Sequence, residues 1–183
     1  MARILIPLAN GCEELEAVTL IDLLRRADFD VITAGLEPGP VTGAHGIVLM
    51  PDTELEQAQH ESYDLMVLPG GLPGADHLND DPRIHALLRK LHDEGRYVGA
   101  ICAAPKVLAK AGLLADRRAT AYPTVLEGMG LTDTQLTGQP VEVDGNVATS
   151  RGPGTAMEFA LALVELLAGT DKRKQVEDPL CRC

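Results

Sequence analysis

Short, wholly apolar runs alternate along this chain with longer stretches in which apolar residues return every three or four positions. That is the pattern of buried strands alternating with amphipathic helices. Residues 3–8, 31–34, 65–68 and 98–101 read as strands, and 13–27, 82–94, 103–111 and 155–167 as helices. The helix over 82–94 opens on Pro82 and is closed by Gly95, the residues best suited to those two positions. The turn Glu37-Pro38-Gly39-Pro40 leads into a hairpin excursion through Val41 and 47–50. A short strand is expected at 119–122, and Asp144-Gly145-Asn146 joins 141–143 to 147–149 as a second hairpin. The tail, 170–183, is polar, with room for a turn or two of helix before Pro179.

The strands lack the period-two polarity of a half-solvated sheet. They predict an α/β sandwich, one domain over 1–183, on a mostly parallel central sheet. Ligands of such sheets bind outside the carboxyl ends of the strands. Three segments converge there: the loop after Leu8, Gly70-Gly71 after Leu68, and Cys102 after Ile101.

Cys102 stands where a strand runs into a helix, with Ala100 and Ala104 two residues to either side. Small residues at those positions let strand and helix pass closely in a nucleophile elbow. Helix N–H groups aimed at the sulfur would favour a thiolate. The alternative is a buried structural cysteine. Glu16 shares a helix face with Leu20 and Leu23, so its carboxyl either finds a partner, is held neutral, or turns to the helix edge. Glu13 and Glu14 fall in the first turn, where carboxylates complement the helix dipole. Gly70 and Gly71 permit a turn that presents N–H groups to an oxyanion, or simply a tight surface turn. No histidine follows Cys102, His85 and His92 read as solvated, and neither a Cys-His-Asp triad nor metal-ligand spacing emerges.

Composition narrows the partners. Hydrophobic residues make up 45% of the chain and aromatic residues 3%, so Ala, Val, Leu and Ile do the packing. With 27 acidic against 16 basic residues the net charge is −11, which disfavours nucleic acid and anionic membranes. The N-terminus enters a strand at once, which predicts a cytoplasmic protein. Cys12, Cys102, Cys181 and Cys183 have no disulfide-framework spacing, and Cys181-Arg182-Cys183 reads as an adventitious C-x-C at the terminus.

The segments Gly11-Cys-Glu-Glu-Leu-Glu16, Asp22-Leu-Leu-Arg-Arg26, Val67-Leu-Pro-Gly-Gly71, Ala100-Ile-Cys-Ala-Ala-Pro105 and Ser150-Arg-Gly-Pro-Gly-Thr155 carry a resemblance nearly end to end. The chain resembles the ThiJ/PfpI superfamily, in the branch of the Parkinson disease-associated deglycase and bacterial YajL. The resemblance implies a flavodoxin-like fold with Cys102 as reactive cysteine and Glu16 as its protonated partner. It implies backbone contacts to the sulfur from Gly70, Gly71 and Ala103, and a pocket near His45, Tyr122, Gly152 and Pro153. It further implies a homodimer with Glu13, Asp22 and Arg26 near the interface. The implied activities are cofactor-free: glyoxalase III-type conversion of methylglyoxal to lactate, or deglycation of glycated protein. A redox-sensing, chaperone-like role through oxidation of Cys102 is the alternative. Two positions depart from the pattern, Tyr122 and His45, where many relatives carry histidine and arginine. Ala103 stands where the protease-like members carry histidine.

Overall fold

The computed structural model describes residues 1–182. β1 (Arg3–Leu8) lies inside a seven-stranded sheet, between β2 (Asp30–Gly35) and β6 (Leu65–Leu68). β7 (Tyr97–Ile101), β11 (Val147–Ser150) and β10 (Val141–Asp144) extend it beyond β6, and β5 (Thr53–Glu54) beyond β2. Every pairing is parallel except β10 with β11. Ile4, Leu5 and Ile6 are fully buried, as is all of β6, because both faces of the sheet are covered. That is why these strands are continuously apolar.

α1 (Glu14–Arg26) and α6 (Ala156–Glu177) pack together, while α3 (Gly74–Asp80), α4 (Pro82–Asp93) and α5 (Pro105–Lys110) form a second group. Gly99 in β7 makes room for this layering. A Cβ there would sit 3.3 Å from both the Phe159 ring of α6 and Val67. From β1 the chain moves outward to β2, then returns past β1 to add β6 and β7. The winding reverses between β1 and β6, the point where open α/β sheets leave a crevice.

Several elements differ from the sequence pattern. α2 (Leu55–Ala58), β5 and α3 were not anticipated; α3 buries only Gly74, Ala75 and Leu78, too weak a stripe to read as a helix. The hairpin at 41–50 forms as β3 (Val41–Thr42) and β4 (Val48–Leu49). The strand at 119–122 shortens to β8 (Arg118–Ala119), which pairs with β9 (Gln135–Leu136). The helix after Cys102 begins only at Pro105. The polar tail is helical through Glu177, beyond a break at Gly169, where φ is +84°. Arg173 holds it, bonding Glu165 at 2.6 Å and Glu177 at 3.3 Å, while Val176 buries. Cys181 is exposed, and the C-x-C partner Cys183 lies outside the described residues. His85 is buried, not solvated, with Nε2 2.8 Å from the Asn79 carbonyl, and His92 is half-buried 3.0 Å from the Arg117 guanidinium. No helix among the described residues is long and apolar enough to cross a membrane.

Candidate active site

Cys102 ends β7 in the left-handed region, with φ at +64°. A non-glycine residue held there is strained and has to be fixed by its surroundings. Two backbone bonds do so: its N–H donates to the Ser150 carbonyl at 3.0 Å, and its carbonyl accepts from the Tyr122 N–H at 2.9 Å. The residue is buried, with 8% of its surface exposed.

Glu16 is fully buried on α1. Its Oε2 accepts from the Gly70 N–H at 2.8 Å, while Oε1 has no hydrogen-bond partner. Gly70 is a glycine because nothing larger fits. A Cβ would come within 2.7 Å of the Cys102 Cβ and 2.8 Å of Glu16 Oε2. The two side chains therefore crowd the same point from opposite sides. Gly71, at φ +86°, itself lies against the backbone of Gly11, Cys12 and Glu13, where a side chain would collide.

Burial raises the Glu16 carboxyl to about 7, although the Gly70 N–H and the neighbouring Cys102 thiol act the other way. Burial also pushes the Cys102 thiol up, to about 12 beside an ionised Glu16, against the N–H groups of Gly71 and Ala103. The expected thiolate trap at a helix N-terminus is thus corrected. α5 starts two residues later than expected, and the local N–H groups are outweighed by burial and by the carboxylate. Cys102 and Glu16 behave as a coupled pair with room for one negative charge. A proton on Glu16 removes the repulsion and supplies an O–H for the sulfur, the partner that Oε1 lacks.

The backbone contacts divide. Gly71 and Ala103 direct their N–H groups to the sulfur, whereas that of Gly70 serves Glu16. The Tyr122 ring is exposed and leans on Gly152, whose Cβ would lie 3.4 Å from it. Pro153 follows in a turn held by Ser150 and Thr155, whose hydroxyls are 2.7 Å apart. His45 is elsewhere, on the loop between β3 and β4. Its Nδ1 lies 3.0 Å from Glu14 Oε2 and 3.5 Å from Glu13 Oε2. Asp22 and Arg26 pair at 2.7 Å along the exposed side of α1.

Glu14 is more than the helix-dipole partner that its place in the first turn implies. It is buried, and its Oε1 accepts from the His45 and Ile47 N–H groups at 2.6 and 3.2 Å. Burial alone would raise this carboxyl; hydrogen bonds from its own N–H, His45 and Ile47 outweigh it and bring it to about 2. A glycine, Gly43, lies against it with no space for a side chain, which is the one sequence signal that marks the contact. Ligand atoms of Glu13, Glu14 and His45 lie within 4.8 Å of one another, but both Glu14 oxygens are already engaged in these bonds.

A parallel α/β sandwich with a strained cysteine on a strand-to-helix elbow and a buried carboxyl beside it defines a recognisable class. The chain belongs to the DJ-1/PfpI family, whose profile matches residues 2–166. It is 42% identical to DJ-1 homolog B of Arabidopsis thaliana over 97% of this chain, and spans only 41% of that longer protein. It likewise spans less than half of the Arabidopsis homolog A, at 46%. Similarity to the glutathione-independent glyoxalase DJR-1.2 of Caenorhabditis elegans is 38% identity, covering 98% of this chain and 95% of the relative. The oxidized DJ-1 of Toxoplasma gondii superposes with a TM-score of 0.94 at 35% identity, covering 98% of each chain.

Proposed function

We propose that the chain is a cofactor-free, cysteine-dependent enzyme for small reactive carbonyls, converting methylglyoxal to lactate or lifting such carbonyls from glycated protein. The observation that carries this reading is the buried Glu16, raised to about 7, with one oxygen unpartnered beside Cys102. Such a carboxyl both gives and takes protons near neutral pH. Cys102 Sγ bonds to the aldehyde carbon as its proton passes through Glu16 to the carbonyl oxygen, giving a hemithioacetal. Glu16, ionised again once it has passed that proton on, then removes the hydrogen from that carbon, and the electron pair forms an enediolate whose hydroxyl proton shifts to the former ketone oxygen. The same proton returns to the neighbouring carbon. The product is a thioester beside a hydroxyl, and water cleaves the thioester to lactate and free thiol. Methylglyoxal plus water becomes lactate with no outside oxidant or reductant. The Gly71 and Ala103 N–H groups stabilise the negative charge that develops at the sulfur as its proton leaves. Tyr122 in the histidine position leaves Glu16 to carry both transfers. The glyoxalase named among the relatives supports the reaction class.

The test is lactate formation from methylglyoxal. Wild type should exceed a buffer control, and Cys102→Ser and Glu16→Gln should fall to that background. A wild-type rate equal to buffer sinks the reading.

The second reading is a redox sensor, favoured by the same N–H pair, which would also hold sulfinate oxygens. Mild peroxide should then add two oxygens at Cys102 on mass spectrometry, before Cys12 or Cys181 reacts. For the quaternary state, an apolar face joins Leu15 and Val18 of α1 to Ile47, Val48 and Met50 of the neighbouring hairpin, all exposed. Patches of this kind on one chain are interaction surfaces. This face, continued along α1 by Asp22 and Arg26, is assigned to a homodimer, with cytoplasmic residence as the corresponding location.

A further inference from the structure

A cavity of about 570 Å³ opens away from Cys102, and none of the residues around the thiol lines it. It lies between the end of β1 (Leu8–Asn10), the turn after β2 (Leu36–Val41) and the junction of α3 with α4 (Asp80–Arg83). This volume suits a small organic molecule. Its walls are apolar and stiff: Leu8, Leu36 and Val41 with the rings of Pro38, Pro40 and Pro82. Proline fixes its own backbone, so this wall is held open rather than collapsing onto itself.

The polar lining has a clear sign. Arg83, the one arginine there, is consumed within the fold. Its guanidinium bonds Asp81 at 2.6 Å, the Leu36 carbonyl at 3.1 Å and Glu56 at 3.4 Å. The N-terminus of α4 is also occupied, because Asp81 accepts from the Arg83 N–H at 2.9 Å. An anion would find both of its natural attractors already taken by carboxylates. What remains is acceptor-rich. Glu37 and Asp80 line the cavity and form no ion pair among the described residues. His77 donates its Nδ1–H to the Asn10 carbonyl at 3.0 Å, so in this tautomer the neutral ring keeps Nε2 as an acceptor.

We infer that this cavity is a second ligand site, independent of the thiol, which takes a small organic cation: an ammonium or guanidinium group on an apolar body. The charged head faces the exposed acidic rim to which Glu37 and Asp80 belong, and the body lies against the proline-lined wall. An ion pair of this type is modest when solvated, so the apolar body and the charged head must act together.

Titration of the full chain with benzylamine at pH 7, against benzyl alcohol and benzoate of the same size, tests this. Benzylammonium should bind at least tenfold more tightly than the alcohol, with benzoate the weakest. Amide shifts in two-dimensional NMR should concentrate at Leu36–Val41 and Asp80–Arg83. Glu37→Gln with Asp80→Asn should weaken binding at least fivefold without moving the melting temperature, and Cys102→Ser should bind as wild type does. Equal binding of amine and alcohol overturns the site. So do shifts centred on Gly70–Gly71 and Cys102–Ala103, or scattered over the acidic surface, or an unchanged affinity in the double variant.

Discussion

Gly70 is where the site tolerates least change. Replacing its hydrogen with a methyl forces apart Cys102, Glu16 and the Ile101 carbonyl, each inside 3 Å of the new atom. Gly70→Ala should cost about 1–3 kcal/mol, read from urea midpoints, and should abolish turnover even where the variant still folds. Glu16 gives a prediction in pH. Its carboxyl is raised from 4.5 to about 7 in the fold, so folding favours its protonated form. The stabilising contribution is complete below pH 4.5 and is lost as pH rises through 7. By linkage the loss is about 3 kcal/mol. In a Cys102→Ala background, which removes the coupled thiol, stability should fall between pH 4.5 and 8, and Glu16→Gln should flatten that fall. A parallel pH profile for both proteins contradicts the buried, protonated Glu16. The pairing of Cys102 with Glu16 came from the family resemblance, because the residue pattern alone put a carboxyl on a leucine face and a cysteine at a strand end with nothing local to join them. The thiol's raised pKa was not legible, since it depends on how deeply the two groups are buried together.

Among the elements, the turn of the β3–β4 hairpin is held by one carboxylate, beside backbone bonds from Gly11 to Thr42 and from Ala44 to Cys12. Glu14 takes both the His45 and Ile47 N–H groups, so Glu14→Ala leaves two backbone donors without partners. The expected cost is about 1–3 kcal/mol, with faster amide exchange at His45 and Ile47 and little change in the sheet. Gly43→Ala should act similarly by displacing the same carboxyl. Unchanged exchange at those two amides would show that the hairpin holds itself. The sequence could not reveal this anchor: a loop folding back onto a helix start is a tertiary event, and the local pattern explains Glu14 fully as a dipole partner. Strands β1, β6 and β7 were readable for the opposite reason, because burial on both faces writes itself into an unbroken apolar run. α3 and the helical tail fall between these cases. One has too few apolar residues, and the other is held by ion pairs that run back onto earlier parts of α6.

For the molecule as a whole, the apolar face on α1 and the hairpin predicts self-association. Sedimentation should give a dimer for wild type and a monomer for Val48→Asp with Leu15→Glu, at unchanged helical content. Sedimentation of wild type as a monomer at micromolar concentration would remove the homodimer. The α/β class and the meeting of strand ends at Gly70 and Cys102 were open to sequence reading because wholly apolar strands alternate with helices, whereas the order of strands in the sheet was not. Nor was the cavity beyond β1 and β2, since it needs three separate loops to meet. One further consequence comes from the backbone of Cys102. A left-handed residue with a side chain costs about 1 kcal/mol over glycine, a cost the remaining fold absorbs for the sake of the thiol. Cys102→Gly should therefore be more stable than Cys102→Ala by about that amount, in reverse of the usual order for these two residues. The position thus trades backbone ease for a sulfur held at the strand end, and a glycine exchange would show the size of that trade directly.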